Sequence, residues 1–499
     1  MAVDRKVVKV VDVVRQGTKL ILPEDVKYTY DDAIEECQRR KADDEKAINV
    51  IEEFDCFVWD GALATTKAIT EMFGSAAMVD IPGFWGDTPP TFLKVTVSPT
   101  ETVEVFWGRL KLPGVVGEIT TGYKFTNDGI ITYQISGAIK KKSMGILKTL
   151  FARIREIVRA ESIYKGKAFE IKFLDSDGEA IPMPEPKFLT LPESRAIFTR
   201  QLEEEIQDNI LTPIRQREFV RATGGTLKKG ILLAGRYGTG KTLVAGVIAK
   251  EGVKHGWTFI YGNIDEFPRL IAFAQKMQPA IVFVEDGDRG AGSERTDEVN
   301  DILNSLDGIG NKDAEIITIM TSNHPENINE AMRRPGRIDL TLHITPPDNE
   351  AAERIVRHYG GSLVKAEENL TEVGKVLSGE IAAAIREVVE RSKLSAIRRI
   401  VGDTDVVVSD TAGKSVFPEI FLTSEDLLRA ARTYKTEKNL FSPKKPVPAA
   451  EVVATAIGRG FAGPVREVIR DIARGGANVE TDTVQEFIDL SGKDSKITT

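Results

Sequence analysis

Apolar positions along the chain follow two rhythms, one of strands and one of helices, and the changes between them mark its organisation. Tyr28 to Phe54 is dense in Asp, Glu, Lys and Arg and is predicted to form helices, within a first α/β segment covering 1–90. The cluster Ile81-Pro-Gly-Phe-Trp-Gly-Asp-Thr-Pro-Pro90 breaks that segment. Beyond it, Thr91 to Val97 and Thr102 to Leu112 are rich in Val, Thr, Phe and Trp and predict strands. Tyr123 to Ser136 predicts a hairpin, because Asn127-Asp128-Gly129 tolerates positive φ. Ile146, Leu147, Leu150, Phe151, Ile154, Ile157 and Val158 recur at helical spacing and make one apolar face, expected to pack on the preceding sheet. Lys167 to Leu174 is a further strand, and the proline-rich Ile181 to Pro192 an extended linker. These features define a strand-rich middle domain, 91–192.

From residue 193 the pattern alternates. A helix from about Ser194 to Asn209 precedes apolar strands at Lys229 to Ala234, Thr258 to Tyr261, Ile281 to Val284 and Ile316 to Thr321, with helical segments between. Apolar strands alternating with helices imply an α/β fold with a parallel sheet covered on both faces, here 193–347. After Pro346-Pro347 the chain is helical to about Lys435, interrupted over Val401 to Glu419, giving a helical domain over 348–441. Ser442-Pro-Lys-Lys-Pro-Val-Pro448 is a second linker, leading to a helical tail that completes 442–499.

The chemistry sits at the strand ends. Gly235-Arg-Tyr-Gly-Thr-Gly-Lys-Thr242 follows a predicted strand and opens a helix, the context a phosphate-binding (Walker A) loop requires. Gly238 and Gly240 allow backbone N–H groups to curl round phosphates, where the helix N-terminus adds positive potential. Lys241 can reach the β- and γ-phosphates, and the Thr242 hydroxyl can coordinate Mg²⁺. Gly235, Tyr237, Thr239 and Leu243 complete the candidate nucleotide-binding set. Ile281-Val-Phe-Val ends in Glu285-Asp286, two carboxylates at the edge where such sheets bind ligands. One should hold hydrated Mg²⁺ and the other orient the attacking water. By position Glu285 serves the metal, through water, and Asp286 the water. Asn323 follows the next strand and is a candidate sensor of the γ-phosphate. In Arg333-Arg334-Pro-Gly-Arg337-Ile-Asp339 a Pro-Gly turn presents guanidinium forks suited to phosphate oxygens. Arg334 and Arg337 are the candidate fingers, inserted into a neighbouring subunit's site, and supply in trans implies a homo-oligomeric ring.

Composition narrows the rest. The 499 residues exceed a single core, and 41% apolar with 28% charged is ordinary for a soluble protein. A net charge of −8 argues against a broad grip on nucleic acid. Cys37 and Cys56 match neither a zinc site nor a redox pair, and are expected to be buried free thiols. His255, His324, His343 and His358 show no metal-ligand spacing, and the peptidase run His-Glu-x-x-His is absent from the sequence. No apolar run approaches the ~18 residues that cross a bilayer, so no membrane partner and a cytoplasmic location are expected.

With those motifs in order, Ser194 to Lys435 resembles the AAA proteins within the AAA+ superfamily. The resemblance implies a large α/β nucleotide domain, a helical lid over 348–441, ATP and Mg²⁺ as cofactors, ATP hydrolysis and a ring, usually of six subunits. The usual acidic order in that superfamily is Asp then Glu, reversed here. A closer resemblance is to the family of the mitochondrial chaperone that inserts the Rieske iron–sulfur protein into complex III. It rests on the Glu285-Asp286 order, on Leu303-Asn-Ser-Leu-Asp-Gly308, and on Thr321-Ser-Asn-His-Pro325 through Arg334-Pro-Gly-Arg-Ile-Asp339. The strand-rich region closed by an amphipathic helix also resembles that family's middle domain. That family carries a membrane span and forms seven-membered rings, so hexamer and heptamer both stay open here. The interval Gly262 to Ile271 is short and offers only Phe267 as a pore-loop aromatic, with core packing its expected role. The expected activity is an ATPase ring that remodels or translocates a protein client. The alternatives are a nucleic-acid-associated motor or recombination factor, and an ATP-gated scaffold with little hydrolysis.

Overall fold

The computed structural model describes residues 14–16, 19–21, 30–80, 89, 92–126, 129–191, 196–290, 297–308, 314–401 and 420–441. The chain divides into two compact units, Met1–Pro347 and Asp348–Thr499. The Val401 to Glu419 interruption lies almost wholly, and the tail from residue 442 wholly, outside the described residues.

In the first unit an antiparallel five-stranded sheet runs in the order Ala47–Phe54, Ile131–Lys140, Gly117–Phe125, Arg109–Lys111, Ala77–Val79. It therefore takes strands from both sides of the break placed at residue 90. The helix expected across Tyr28 to Phe54 covers only Tyr30–Asp44. From Ala47 the sequence Ala-Ile-Asn-Val-Ile-Glu-Glu-Phe brings β-branched residues in alternation, and this stretch pairs antiparallel with Ile131–Lys140. The predicted amphipathic helix is Met144–Ala160, which buries Leu147, Leu150, Phe151, Ile154 and Ile157. Lys140-Lys141-Lys142 lies just before it, and two of the three meet acids at the end of the Tyr30–Asp44 helix. Lys141 pairs with Asp43, and Lys142 with Glu45 at 2.5 Å. Cys37 is exposed rather than buried, whereas Cys56 is buried, and burial pushes its thiol up.

Helix Val58–Phe73, missed in the sequence, crosses this sheet so closely that Gly61 touches the Tyr133 ring. A Cβ on Gly61 would stand 2.2 Å from Tyr133 Cγ, and Tyr133 is fully buried. Gly61→Ala is therefore expected to destabilise this region by about 2 kcal/mol, overpacking outweighing the helix-propensity gain. Thermal unfolding followed by near-UV circular dichroism checks this; an unchanged midpoint would contradict the close contact.

The second sheet has seven strands, in the order Lys187–Phe188, Ala168–Glu170, Thr258–Asn263, Ala280–Glu285, Ile316–Ser322, Lys229–Ala234, Leu340–His343. All neighbours are parallel except the outermost Lys187–Phe188 pairing. Two of its strands thus come from the segment read as middle domain and linker. Strand residues alternate between two cores. Phe259, Ile281, Phe283, Ile231 and Leu233 face one. Ile260, Val282, Val284 and Leu232 face the other, which is continuous with the antiparallel sheet. Phe273 joins the two regions, with its ring 5.0 Å from Phe57 and 6.1 Å from Phe169. Phe267 is fully buried in the same core, as core packing requires.

The second unit contains helices Asn349–Gly360, Thr371–Leu377, Ala382–Val401 and Ser424–Phe441. Asp348 caps the first by accepting from Ala351 N at 2.8 Å. Arg399 holds the buried Asp426 at 2.9 Å between the last two helices. No helix of the described residues is long and apolar enough to cross a membrane.

Candidate nucleotide site

Three neighbouring parallel strands, Lys229–Ala234, Ile316–Ser322 and Ala280–Glu285, end at one edge of the seven-stranded sheet. The predicted phosphate loop leaves the first of them and enters helix Lys241–Lys254. Gly238 (φ 76°) and Gly240 (φ 105°) hold left-handed conformations that residues with a Cβ resist. Thr239 is buried, and its hydroxyl donates to Arg236 O at 2.8 Å, closing the loop on itself. Gly235 lies against Ile344 O, where a Cβ would meet oxygen at 2.5 Å. Tyr237 is exposed, and the Lys241 ammonium lies 5.9 Å from its ring centre. Leu243 follows on the helix, half-buried.

Two hydrogen-bonded chains organise the edge. In one, Lys241 Nζ donates to Asn323 Oδ1 at 2.7 Å, and Asn323 Nδ2 donates to Asp286 Oδ1 at 3.2 Å. The same ammonium reaches Gly235 O at 2.7 Å and Arg236 O at 3.0 Å. Desolvation draws its pKa down, against the upward pull of Asp286, Asp288 and Glu285. In the other chain, the Thr242 hydroxyl donates to Glu285 Oε1 at 2.6 Å. Tyr261 OH donates to Glu285 Oε2 at 3.0 Å. Burial, and then the Glu285 charge, push the Tyr261 phenol up to about 12, so it stays a donor at neutral pH. Asp286 has φ 50°, a conformation costing ~1 kcal/mol, and its N–H donates to Thr321 Oγ1 at 3.1 Å. The backbone turn at the strand end separates the two carboxylates into different partner sets.

Thr242 and Glu285 offer one hydroxyl and one carboxylate, both hard oxygens, side by side. That set suits Mg²⁺, which keeps waters and phosphate oxygens in its shell and needs few protein ligands. Among the described residues there is no cluster of three or more His, Cys, Asp or Glu that could hold another metal.

The arginine turn is braced from below. Asp339 accepts from Gly336 N at 2.7 Å and from Gly230 N at 3.1 Å. Gly230 lies so close that a Cβ there would overlap Arg337 O, at 1.5 Å. The two candidate fingers then differ. Arg334 is exposed and makes no side-chain hydrogen bond or ion pair among the described residues. Arg337 is 16% exposed, grips Asp307 through Nε at 2.9 Å and Nη2 at 2.5 Å, and donates to Ala331 O at 2.7 Å. The Arg337 hydrogen bonds hold the Asp307 carboxyl below the usual range.

Tyr261, Asp288 and Asp307 were not singled out from sequence. Asp288 accepts from Asn323 N at 3.3 Å and so orients the sensor candidate. Its only signal was a third acidic position in Glu285-Asp-Gly-Asp288.

Residues 231–346 match the family described as "ATPase family associated with various cellular activities (AAA)". The chain is 28% identical over 247 residues to the Cell division cycle protein 48 homolog of Archaeoglobus fulgidus, covering 46% of this chain and 33% of that protein. It is 29% identical over 228 residues to ATP-dependent zinc metalloprotease FtsH 2 of Symbiobacterium thermophilum, covering 42% and 38%. With the FtsH of Helicobacter pylori it shares 31% over 215 residues, covering 39% and 33%. The chain thus spans about a third of the length of these relatives. Fold, phosphate loop and family match agree over the same stretch, and residues 231–346 have the fold of an AAA domain.

Proposed function

We propose that the protein binds and hydrolyses ATP as a homo-oligomeric AAA ring and uses turnover to remodel or move a protein client. The observation that carries hydrolysis is the division of labour between Glu285 and Asp286. Glu285 stands beside the Thr242 hydroxyl, where Mg²⁺ would neutralise phosphate charge as the terminal bond breaks. Asp286 faces Asn323, which also touches Lys241, and so lies next to the phosphate-binding ammonium without contesting the metal position. From there its carboxylate can accept a proton from water, with Asn323 orienting that water. Arg334 is exposed and makes no side-chain hydrogen bond or ion pair among the described residues, and its guanidinium would serve a neighbouring subunit.

The relatives support a protein client in a limited way. Their names include a zinc metalloprotease, and this sequence lacks the His-Glu-x-x-His run, so only the ATP-driven part is carried over. The short Gly262 to Ile271 interval favours a ring that remodels a folded client over a threading motor. Burial of Phe267 points the same way, because it removes the pore-loop aromatic.

Asp286→Asn tests hydrolysis. It keeps the shape and the Asn323 contact but removes the proton acceptor, and is expected to lower kcat about 10²- to 10⁴-fold while ATP still binds. Steady-state phosphate release and binding of a fluorescent nucleotide separate the two effects. Equal turnover in the variant would exclude Asp286 as the base; no turnover in the wild type, with ATP bound, would favour the scaffold.

A further inference from the structure

Glu285 differs from a shorter Asp at its position by one methylene, and the extra bond adds a torsion that must be held if the carboxylate is to face Thr242. The rotamer freedom of a long acidic side chain is enough to blur a metal position. Both oxygens of Glu285 are nevertheless occupied, Oε1 by Thr242 and Oε2 by Tyr261. We propose that Tyr261 is a positioning residue for the metal-binding carboxylate, and that Glu285 and Tyr261 work as a pair. The proposal rests on the reading of Glu285 as the carboxylate that serves Mg²⁺.

The strand register explains the reach. Tyr261 pairs with Phe283 and Asn263 with Glu285 on adjacent parallel strands. Side chains two apart share a face, so Tyr261, Phe283 and Glu285 lie on one side of the sheet, and the phenol spans the diagonal to the next position. The ring is itself rigid, stacked on Phe283 at 5.8 Å and 18°, and Phe283 stacks on Phe259 at 6.1 Å and 24°. A hydroxyl on a fixed aromatic stack therefore sets the Glu285 rotamer. An Asp at 285 would hold its oxygens ~1.5 Å nearer its own strand and lose the phenol.

Titration of a non-hydrolysable ATP analogue with and without Mg²⁺, by calorimetry on the full chain, tests the pair. Tyr261→Phe keeps the stack, so affinity without Mg²⁺ should match the wild type. The Mg²⁺ concentration giving half of the metal-dependent gain in affinity should rise about 10-fold. Glu285→Asp with Tyr261 intact should show the same shift. An unchanged Mg²⁺ requirement in Tyr261→Phe, with the metal-dependent gain lost in Glu285→Gln, overturns the positioning role alone. A gain that persists in Glu285→Gln overturns the reading of Glu285 and the proposal with it.

Discussion

Arg334→Ala is expected to lower ATP turnover about 10³- to 10⁵-fold, the range that finger arginines supply in phosphoryl transfer, and to leave the subunit's stability unchanged. The guanidinium is exposed and unengaged among the described residues, so its removal costs the fold nothing. Arg337 makes the informative contrast. It clamps Asp307 and Ala331 within its own chain, and Arg337→Ala should loosen the turn by about 1 kcal/mol, discounted because Asp307 is 53% exposed. Asp307→Ala removes the carboxylate part of that clamp but spares the arginine and its bond to Ala331 O. If Arg337 only braces the turn, turnover in each variant should fall in proportion to its loss of stability. If it also reaches phosphate, Arg337→Ala should fall further. Phosphate release with sedimentation velocity on each variant tells loss of chemistry from loss of assembly, and full activity in Arg334→Ala would remove it from the site.

Lys241→Ala is the other large effect. The ammonium is half-buried among Gly235 O, Arg236 O and Asn323 Oδ1, a ring of acceptors that aims it along the loop. Losing a charge-assisted contact to phosphate costs about 2–3 kcal/mol, or roughly 30- to 150-fold in nucleotide Kd. Asn323 also loses its donor, so its hold on Asp286 should slacken and turnover should fall further than binding. Fluorescent-nucleotide titration gives the first effect. Wild-type affinity in Lys241→Ala would mean that the loop does not hold phosphate as the motif implies.

The nucleotide domain was legible because its signals are local. An apolar run bounded by charge gives Lys229–Ala234 its limits, and the glycines of the phosphate loop need their positive φ wherever the loop forms. Glu285 ends a strand, Asp286 and Asn323 follow strands, and all three could be placed by counting. Long-range partners gave no such signal. Tyr261 stands 24 residues from Glu285, and Asp307 stands 30 from Arg337, with no periodic pattern linking either pair. The ahead-of-domain region was harder for a related reason. Strand Ala47–Phe54 finds its partner some eighty residues later, at Ile131–Lys140, and a charged neighbourhood reads as helix until that partner is known. Likewise Ala168–Glu170 extends the nucleotide sheet only because Thr258–Asn263 offers it a parallel edge.

The central claim is a site shared between subunits, and subunit mixing tests it most directly. Lys241→Ala lacks a working phosphate loop but keeps Arg334; Arg334→Ala keeps the loop but lacks the finger. Each alone should be nearly inactive. Mixed in equal amounts, they should recover a substantial part of wild-type ATPase activity per intact site, because one variant's arginine completes the other's loop. A mixture no more active than the sum of its parts, with mixed assemblies demonstrated, would contradict a composite site.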